Sequence, residues 1–170
     1  MKLIASCFFL FPLTGLSQPT PHKALSVCEL LEHIQKYRDK EVYVRGEPRE
    51  GPEEVALYGE GCTQPLMTNG HVWPNAIWLT PPDGLAERPV NFSLNEEALE
   101  AMKKKIESER AAGKRGKVTV TVIGKLEARK KLFGGPGPDG GWIGNGFGHL
   151  NAYACQIVIR TVEDVEIADR

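Results

Sequence analysis

His149 and Cys155 are the two side chains in this sequence whose types and spacing come nearest to nucleophilic chemistry, because an imidazole can deprotonate a neighbouring thiol. They lie six positions apart, at the end of a glycine-rich stretch and the start of a strand-like run. Cys155 alternates in phase with Ile157 and Ile159, which predicts a buried and unreactive thiol. We therefore predict no catalytic residue, and a hydrolase-type enzyme centred on His149 is the weaker alternative.

Metal and nucleotide sites are not indicated by the sequence. His22, His33 and His71 are far from His149 in sequence, whereas a zinc site needs three or four protein ligands. The glycine-rich stretch 134–149 leads into a strand and lacks the terminal Gly-Lys-Ser/Thr of a phosphate-binding loop. A nucleophile elbow of the Gly-x-Ser-x-Gly type is also missing. We expect no metal ion and no cofactor.

Aromatic residues in three strand-like runs and in the glycine-rich stretch predict a ligand-binding surface. In each run the aliphatic side chains alternate inward, which places the aromatic ones outward. Aromatic faces can stack on sugars or bases, at about 1–3 kcal/mol per stacked base. The candidate ligand-binding residues are Tyr43, Tyr58, Trp78, Trp142, Phe147 and His149. The alternative is that these side chains pack beneath the leading helix, the 70–74 segment or the glycine-rich loop.

A cluster of lysine and arginine residues forms a second candidate surface. It consists of Lys103, Lys104, Lys105, Arg110, Lys114, Arg115 and Lys117. Such a basic patch can bind nucleic acid, an anionic glycan or lipid phosphates. The alternative is a solvated helix end and loop, and the formal net charge of −1 favours neither interpretation.

Residues 1–17 have the form of a signal peptide. Lys2 precedes an apolar run, and the small residues Gly15 and Ser17 precede the expected cleavage point. The run is too short to span a membrane, which takes roughly 20 apolar residues. We expect an exported protein, periplasmic or extracellular, with a flexible leader over 18–24 and a single domain over 25–170. In such a compartment Cys28 and Cys62 are the expected disulfide pair.

Helix and strand signals alternate along the rest of the chain. Ser26 with Glu29, and Ser93 with Glu96, form capping boxes that predict two helix starts. Apolar residues at helical spacing follow each box: Val27, Leu30, Leu31 and Ile34 in the first helix, and Leu94, Ala98, Leu99, Met102 and Ile106 in the second. Runs with period-two alternation predict five strands at 41–46, 54–58, 76–79, 118–126 and 154–160, and Val162, Val165 and Ile167 offer an extension of the last one.

The order of three strands, a helix and two strands resembles the OB fold, a five-stranded, partly open Greek-key barrel. Glycines at Gly46 and Gly124 fall where such barrels coil sharply. The predicted class is mainly β (α+β), with the helix between strands three and four and an extra N-terminal helix. The segments 27–31, 42–46 and 146–150 also look like parts of small secreted bacterial proteins of uncharacterised function, a resemblance that implies no activity.

The sequence thus predicts an exported OB-like binding or interaction module without enzymatic activity. Oligosaccharides, peptides or another exported protein are the expected partners, and export disfavours nucleic acid. OB barrels host many unrelated functions, so the fold alone does not choose among these ligands.

Overall fold

The computed structural model describes residues 23–51, 54–80 and 96–168, and strands dominate it. The helices are α1 (Val27–Glu32), α2 (Ile34–Tyr37) and α3 (Glu96–Ala111), and His149–Asn151 form a 3-10 turn. The strands are β1 (Leu25–Ser26), β2 (Glu41–Gly51), β3 (Glu54–Tyr58), β4 (Met67–Thr68), β5 (His71–Val72), β6 (Ala76–Thr80), β7 (Val118–Ala128), β8 (Gly134–Pro136), β9 (Trp142–Gly144) and β10 (Cys155–Ile167).

Five of these strands close into a barrel in the order β2-β3-β6-β10-β7, with β7 returning to pair with β2. The β6–β10 pair is parallel, and the other barrel pairs are antiparallel. Helix α3 connects β6 to β7, the third and fourth barrel strands. The predicted class is therefore confirmed: the fold is a mainly β, α+β barrel of the OB kind with an additional N-terminal helix.

Strand β2 serves both sides of the barrel by changing partner at Gly46. Residues 41–46 pair with β7, and residues 47–51 pair with β3. A Cβ atom on Gly46 would lie 2.7 Å from the Leu57 side chain and 2.8 Å from the Tyr58 carbonyl oxygen. Only glycine fits such a close approach, which confirms the coiling role expected for this residue.

The barrel interior is filled by the alternating aliphatic residues that the sequence predicted to face inward. Ile77 and Leu79 of β6 lie in the core, while Trp78 between them faces outward. Cys155 is completely buried in phase with Ile157, and burial raises the pKa of its thiol. Trp73, which the sequence did not single out, is also buried in this core.

Helix α1 covers one side of the core, and a capping box and a disulfide both hold its N-terminal end. The Ser26 hydroxyl accepts a hydrogen bond from the Glu29 amide (3.1 Å), and the Ser26 amide donates to the Glu29 carboxylate (2.7 Å). Val27, Leu30, Leu31 and Ile34 are buried, as their spacing predicted. Cys28 is bonded to Cys62, so the predicted disulfide joins α1 to the connection after β3.

Helix α3 ends in a Schellman motif at Gly113, whose φ is +92°. The Gly113 amide donates to the Arg110 carbonyl, and the Lys114 amide donates to the Glu109 carbonyl. Met102 and Ile106 pack against the barrel core. The second capping box cannot be compared, because Ser93 and Leu94 lie outside the described residues, as do the side chains of Glu96, Ala98 and Leu99.

Two hairpins were not predicted. Strands β4 and β5 form one, and β8 and β9 form the other within the glycine-rich stretch. Strands β2 and β7 also run longer than their sequence patterns, to Gly51 and Ala128, whereas β10 includes the extension to Ile167 that the sequence offered. In the three described ranges, no helix combines the length and the apolar character needed to cross a membrane.

Candidate functional site

The aromatic residues predicted to bind ligand fall into separate surroundings. Tyr58 and Trp78 lie together on the outer face of β3 and β6, where the Trp78 ring centroid is 5.4 Å from that of Tyr153. A Cβ atom on Gly148 would lie 2.5 Å from the Trp78 ring. The end of the glycine-rich stretch, closed by the Phe147–Tyr153 bridge, therefore lies directly against Trp78.

The other predicted ligand-binding residues do not join this cluster as one open surface. Phe147 is 9% exposed, and the Arg129 guanidinium stacks 4.5 Å from its ring centroid. His149 is exposed in the 3-10 turn. Tyr43 is half-buried where β2 pairs with β7, on a different seam of the barrel from Trp78. The Trp142 backbone belongs to β9, and its side chain lies outside the described residues.

The predicted basic patch is divided over several sides of the molecule. Lys103 and Arg110 face the end of the barrel. Lys105 and Lys114 line a depression with Glu166 on another side, and Lys114 is ion-paired with Glu109.

The remaining basic residues are divided between two places. Lys104 is exposed on α3, whereas Arg115 and Lys117 line a depression that Arg110 also borders. The Lys117 Nζ atom is 2.5 Å from Glu60 and 3.7 Å from Glu47. The cations of the predicted patch therefore do not form one continuous uncompensated surface.

A cleft of about 770 Å³ lies between α3 and the adjacent end of the barrel. We call this space the barrel-end cleft. Each of the five barrel strands contributes to its wall, and α3 closes one side. Its apolar lining consists of Pro48 (β2), Val55 (β3), Leu79 (β6), Val118 (β7), Ile159 (β10), and Met102 and Ile106 (α3).

One wall of this cleft was partly predictable from the sequence. The apolar spacing of Met102 and Ile106 correctly predicted a helix face directed at the barrel. It did not indicate that the helix and the barrel leave a space between them, because such a space depends on the separation of elements that are distant in sequence.

Charged side chains form the rim of the barrel-end cleft. Lys103 and Arg110 come from one face of α3, with Glu107 between them, and Arg49 and Glu50 come from β2. The Arg49 guanidinium lies 3.0 Å from Glu47 and 4.5 Å from the Tyr58 ring centroid. The hydrogen bond from Arg49 is the main reason that the pKa of Glu47 is lowered.

A polar depression of about 620 Å³ adjoins the barrel-end cleft. The two spaces share Pro48, Arg49, Arg110 and Val118 as lining residues. Glu47 and Glu60 in the depression are engaged by Arg49 and Lys117. Within the part of the chain that the structure describes, Arg110, Arg115 and Lys103 have no acidic partner at ion-pair distance.

The His149–Cys155 pair does not have the surroundings of a nucleophilic site. Cys155 lies in the core and His149 lies on the surface. A reactive cysteine needs a thiolate, and burial raises the pKa of this thiol instead. Among the described side chains, three or more His, Cys, Asp or Glu residues do not come together in an arrangement that could hold a metal ion.

Comparison with known proteins adds no relative: no protein-family model, curated protein or solved structure matches this chain. The structural class therefore rests on strand order and pairing, which define an OB-like α+β barrel.

Proposed function

We propose that this protein is exported and acts as a non-enzymatic binding module whose ligand occupies the barrel-end cleft. The observation that carries the proposal is the cleft itself, with its apolar wall drawn from all five barrel strands and α3. Its volume of about 770 Å³ suits a small-molecule ligand, since such sites typically measure roughly 300–1,000 Å³.

Packing on the outer barrel face supports the choice of this cleft over the aromatic surface. Trp78 is already in contact with Tyr153 and Gly148, and Phe147 is stacked beneath Arg129. A ligand stacking on Trp78 would have to displace those contacts first.

The charge distribution supports a small ligand over a polyanion. A polyanion needs a continuous track of cations, because its affinity comes from several phosphate or sulfate contacts made together. Here Lys114 and Lys117 are ion-paired with acids, and Lys105 lies on a different side of the molecule from Lys103.

The burial of Cys155 supports a binding role over catalysis. The hydrolase alternative requires a nucleophile that a base and a substrate can both reach. Cys155 is enclosed by the core, and His149 lies at the surface.

The Cys28–Cys62 bridge supports export, together with the signal-peptide form of residues 1–17. Disulfides form and persist in oxidising compartments, which include the periplasm and the extracellular space. We expect the protein recovered from an exporting host to begin at Gln18, as read by N-terminal sequencing or intact mass. Recovery from the cytosol with Met1 retained would contradict export.

Binding in the cleft is tested with N-phenylnaphthylamine, an uncharged fluorophore that brightens in apolar surroundings. We expect saturable 1:1 binding and amide shift changes at residues 102–110 of α3 and at Leu79 and Ile159. Substitution Ile106→Gln places a polar group in the cleft wall and should weaken binding about tenfold, roughly the contribution of one buried aliphatic side chain.

The matched control is Ala101→Gln, which makes an exposed change on the same helix. It should leave the affinity unchanged. Shift changes centred on Trp78 and Tyr153 would move the site to the outer face, and a lack of saturable binding would remove the proposed function.

A further inference from the structure

We infer that the ligand of the barrel-end cleft is a long-chain carboxylate, held with its chain in the cleft and its head at the boundary with the polar depression. This inference rests on the proposed function of the cleft as a binding site. It adds the chemical class of the ligand and the orientation in which it binds.

The composition of the cleft wall indicates that the ligand carries an alkyl chain. The inward-facing part of that wall is aliphatic, with Leu79, Val118 and Ile159 at the barrel end facing Met102 and Ile106 of α3. These side chains offer no hydrogen-bonding group, so a sugar or a peptide backbone placed there would leave polar groups unsatisfied. An alkyl chain has no polar groups to satisfy and gains from burial.

The position of Arg110 indicates the chemistry of the ligand's head group. Arg110 lines both the cleft and the depression. A guanidinium at this boundary can bind a carboxylate through two parallel hydrogen bonds. Arg115 lies on the depression side of Arg110 and is also without an acidic partner among the described residues. The two acids of the depression, Glu47 and Glu60, are occupied by Arg49 and Lys117 and do not compete for these guanidinium groups.

The sign and size of the local charge favour a head with a single negative charge. The two adjoining spaces are lined by five cationic and four acidic side chains, a balance of one positive charge. The single negative charge of a carboxylate neutralises this net positive charge. A doubly charged phosphate would leave an excess of negative charge near Glu50 and Glu107 on the cleft rim.

The test uses the purified protein with its disulfide intact and three probes of equal chain length, each kept below its micelle concentration or its solubility limit. The probes are dodecanoate, dodecyl phosphate and uncharged dodecanol, each measured by displacement of N-phenylnaphthylamine and by calorimetry. We expect dodecanoate to bind most tightly and dodecanol to bind more weakly at the same site.

The key variant is Arg110→Gln combined with Arg115→Gln, and its matched control is Lys104→Gln combined with Lys105→Gln. Both remove two positive charges from the α3 region, but Lys104 and Lys105 do not line the cleft or the polar depression. Dodecanoate should bind the arginine variant about tenfold more weakly, as two partly exposed charged contacts are lost, with dodecanol unaffected. The lysine variant should bind both probes as the natural protein does.

The outcomes separate the inference from the proposed function. Equal affinities for dodecanoate and dodecanol, or equal losses in the two variants, would overturn the carboxylate assignment while leaving the cleft as a binding site. Preference for dodecyl phosphate would also overturn it, in favour of a phosphate-headed lipid. If no probe binds and N-phenylnaphthylamine does not bind either, the proposed function itself fails. Thermal unfolding of both variants establishes that each is folded.

Discussion

Gly148 holds the end of the glycine-rich stretch against Trp78 with a φ of +70°. An alanine there would meet two obstacles. The φ of +70° with a ψ of −163° is a conformation essentially restricted to glycine and costs another residue roughly 1–3 kcal/mol, and the added Cβ would lie 2.5 Å from the Trp78 ring. We expect Gly148→Ala to lower the free energy of unfolding by about 2–4 kcal/mol, measured by urea denaturation.

Gly140 provides the control for this substitution. Its φ is +78°, close to that of Gly148, but a Cβ atom there would meet nothing within 4 Å. Gly140→Ala should therefore lower the free energy of unfolding only by the backbone cost of roughly 1–2 kcal/mol. Equal losses for the two variants would mean that Gly148 does not pack against Trp78 as described.

Glu29 makes the stability of the N-terminus of α1 depend on pH. Hydrogen bonds from the Ser26 amide and hydroxyl lower the pKa of its carboxyl below the ordinary value of 4.5. A lowered pKa in the folded state means that the carboxylate contributes stability above about pH 4.5, and that this contribution is lost as the pH falls through the folded-state pKa. The Glu29→Gln variant should therefore be less stable than the natural protein at pH 7 and approach it in strongly acidic solution.

Glu32→Gln is the matched control, since Glu32 lies at the other end of the same helix and is exposed. Chemical denaturation of the three proteins between pH 2 and pH 7 checks the prediction. A stability difference for Glu29→Gln that stays constant across this range would contradict the capping box.

At the scale of elements, the Cys28–Cys62 disulfide links α1 covalently to the connection after β3. It joins residues 34 positions apart. Closing a loop of this size in the unfolded chain is worth about 3–4 kcal/mol in the chain-entropy description. We expect the Cys28→Ser, Cys62→Ser double variant to lose that much stability in urea denaturation. Reduction of the natural protein should produce the same loss, and a variant as stable as the oxidised protein would contradict a structural role for the bridge.

The elements are also where the sequence was most informative. Alternating aliphatic residues in 54–58 and 118–126 predicted β3 and most of β7 because each has one face in the core. The β4–β5 and β8–β9 hairpins were missed because their strands contain two or three residues each, too few to establish a period. The capping box at Ser26 was predictable because its partners are three residues apart.

At the scale of the whole molecule, the five barrel strands form one closed ring of hydrogen bonds around one main core. No barrel strand can leave without opening two strand pairs. We therefore expect a single unfolding transition with the disulfide intact, in which far-UV circular dichroism and tryptophan fluorescence change at the same urea concentration. Separated transitions would show that part of the barrel unfolds independently.

Whole-molecule geometry also explains why the sequence predicted the fold better than the site. The succession of strands and helices follows from local patterns, and its resemblance to the OB fold implied the barrel class, which the structure confirms. The barrel-end cleft depends on how far α3 stands from Leu79 and Ile159, and this distance is set by all the contacts around it. Outward aromatics such as Trp78 were correctly oriented, but their contact with Tyr153 joins segments 75 residues apart.

Barrel closure has a further consequence for the segment Val118–Ile123 of β7. Its sequence, Val-Thr-Val-Thr-Val-Ile, is uncharged and rich in β-branched residues, which is the composition of segments that stack into amyloid. In the barrel, β10 pairs along one side of this segment and β2 along much of the other. Most of the backbone groups that would recruit a second chain are already in use, so the closed barrel also protects this segment against strand-to-strand aggregation.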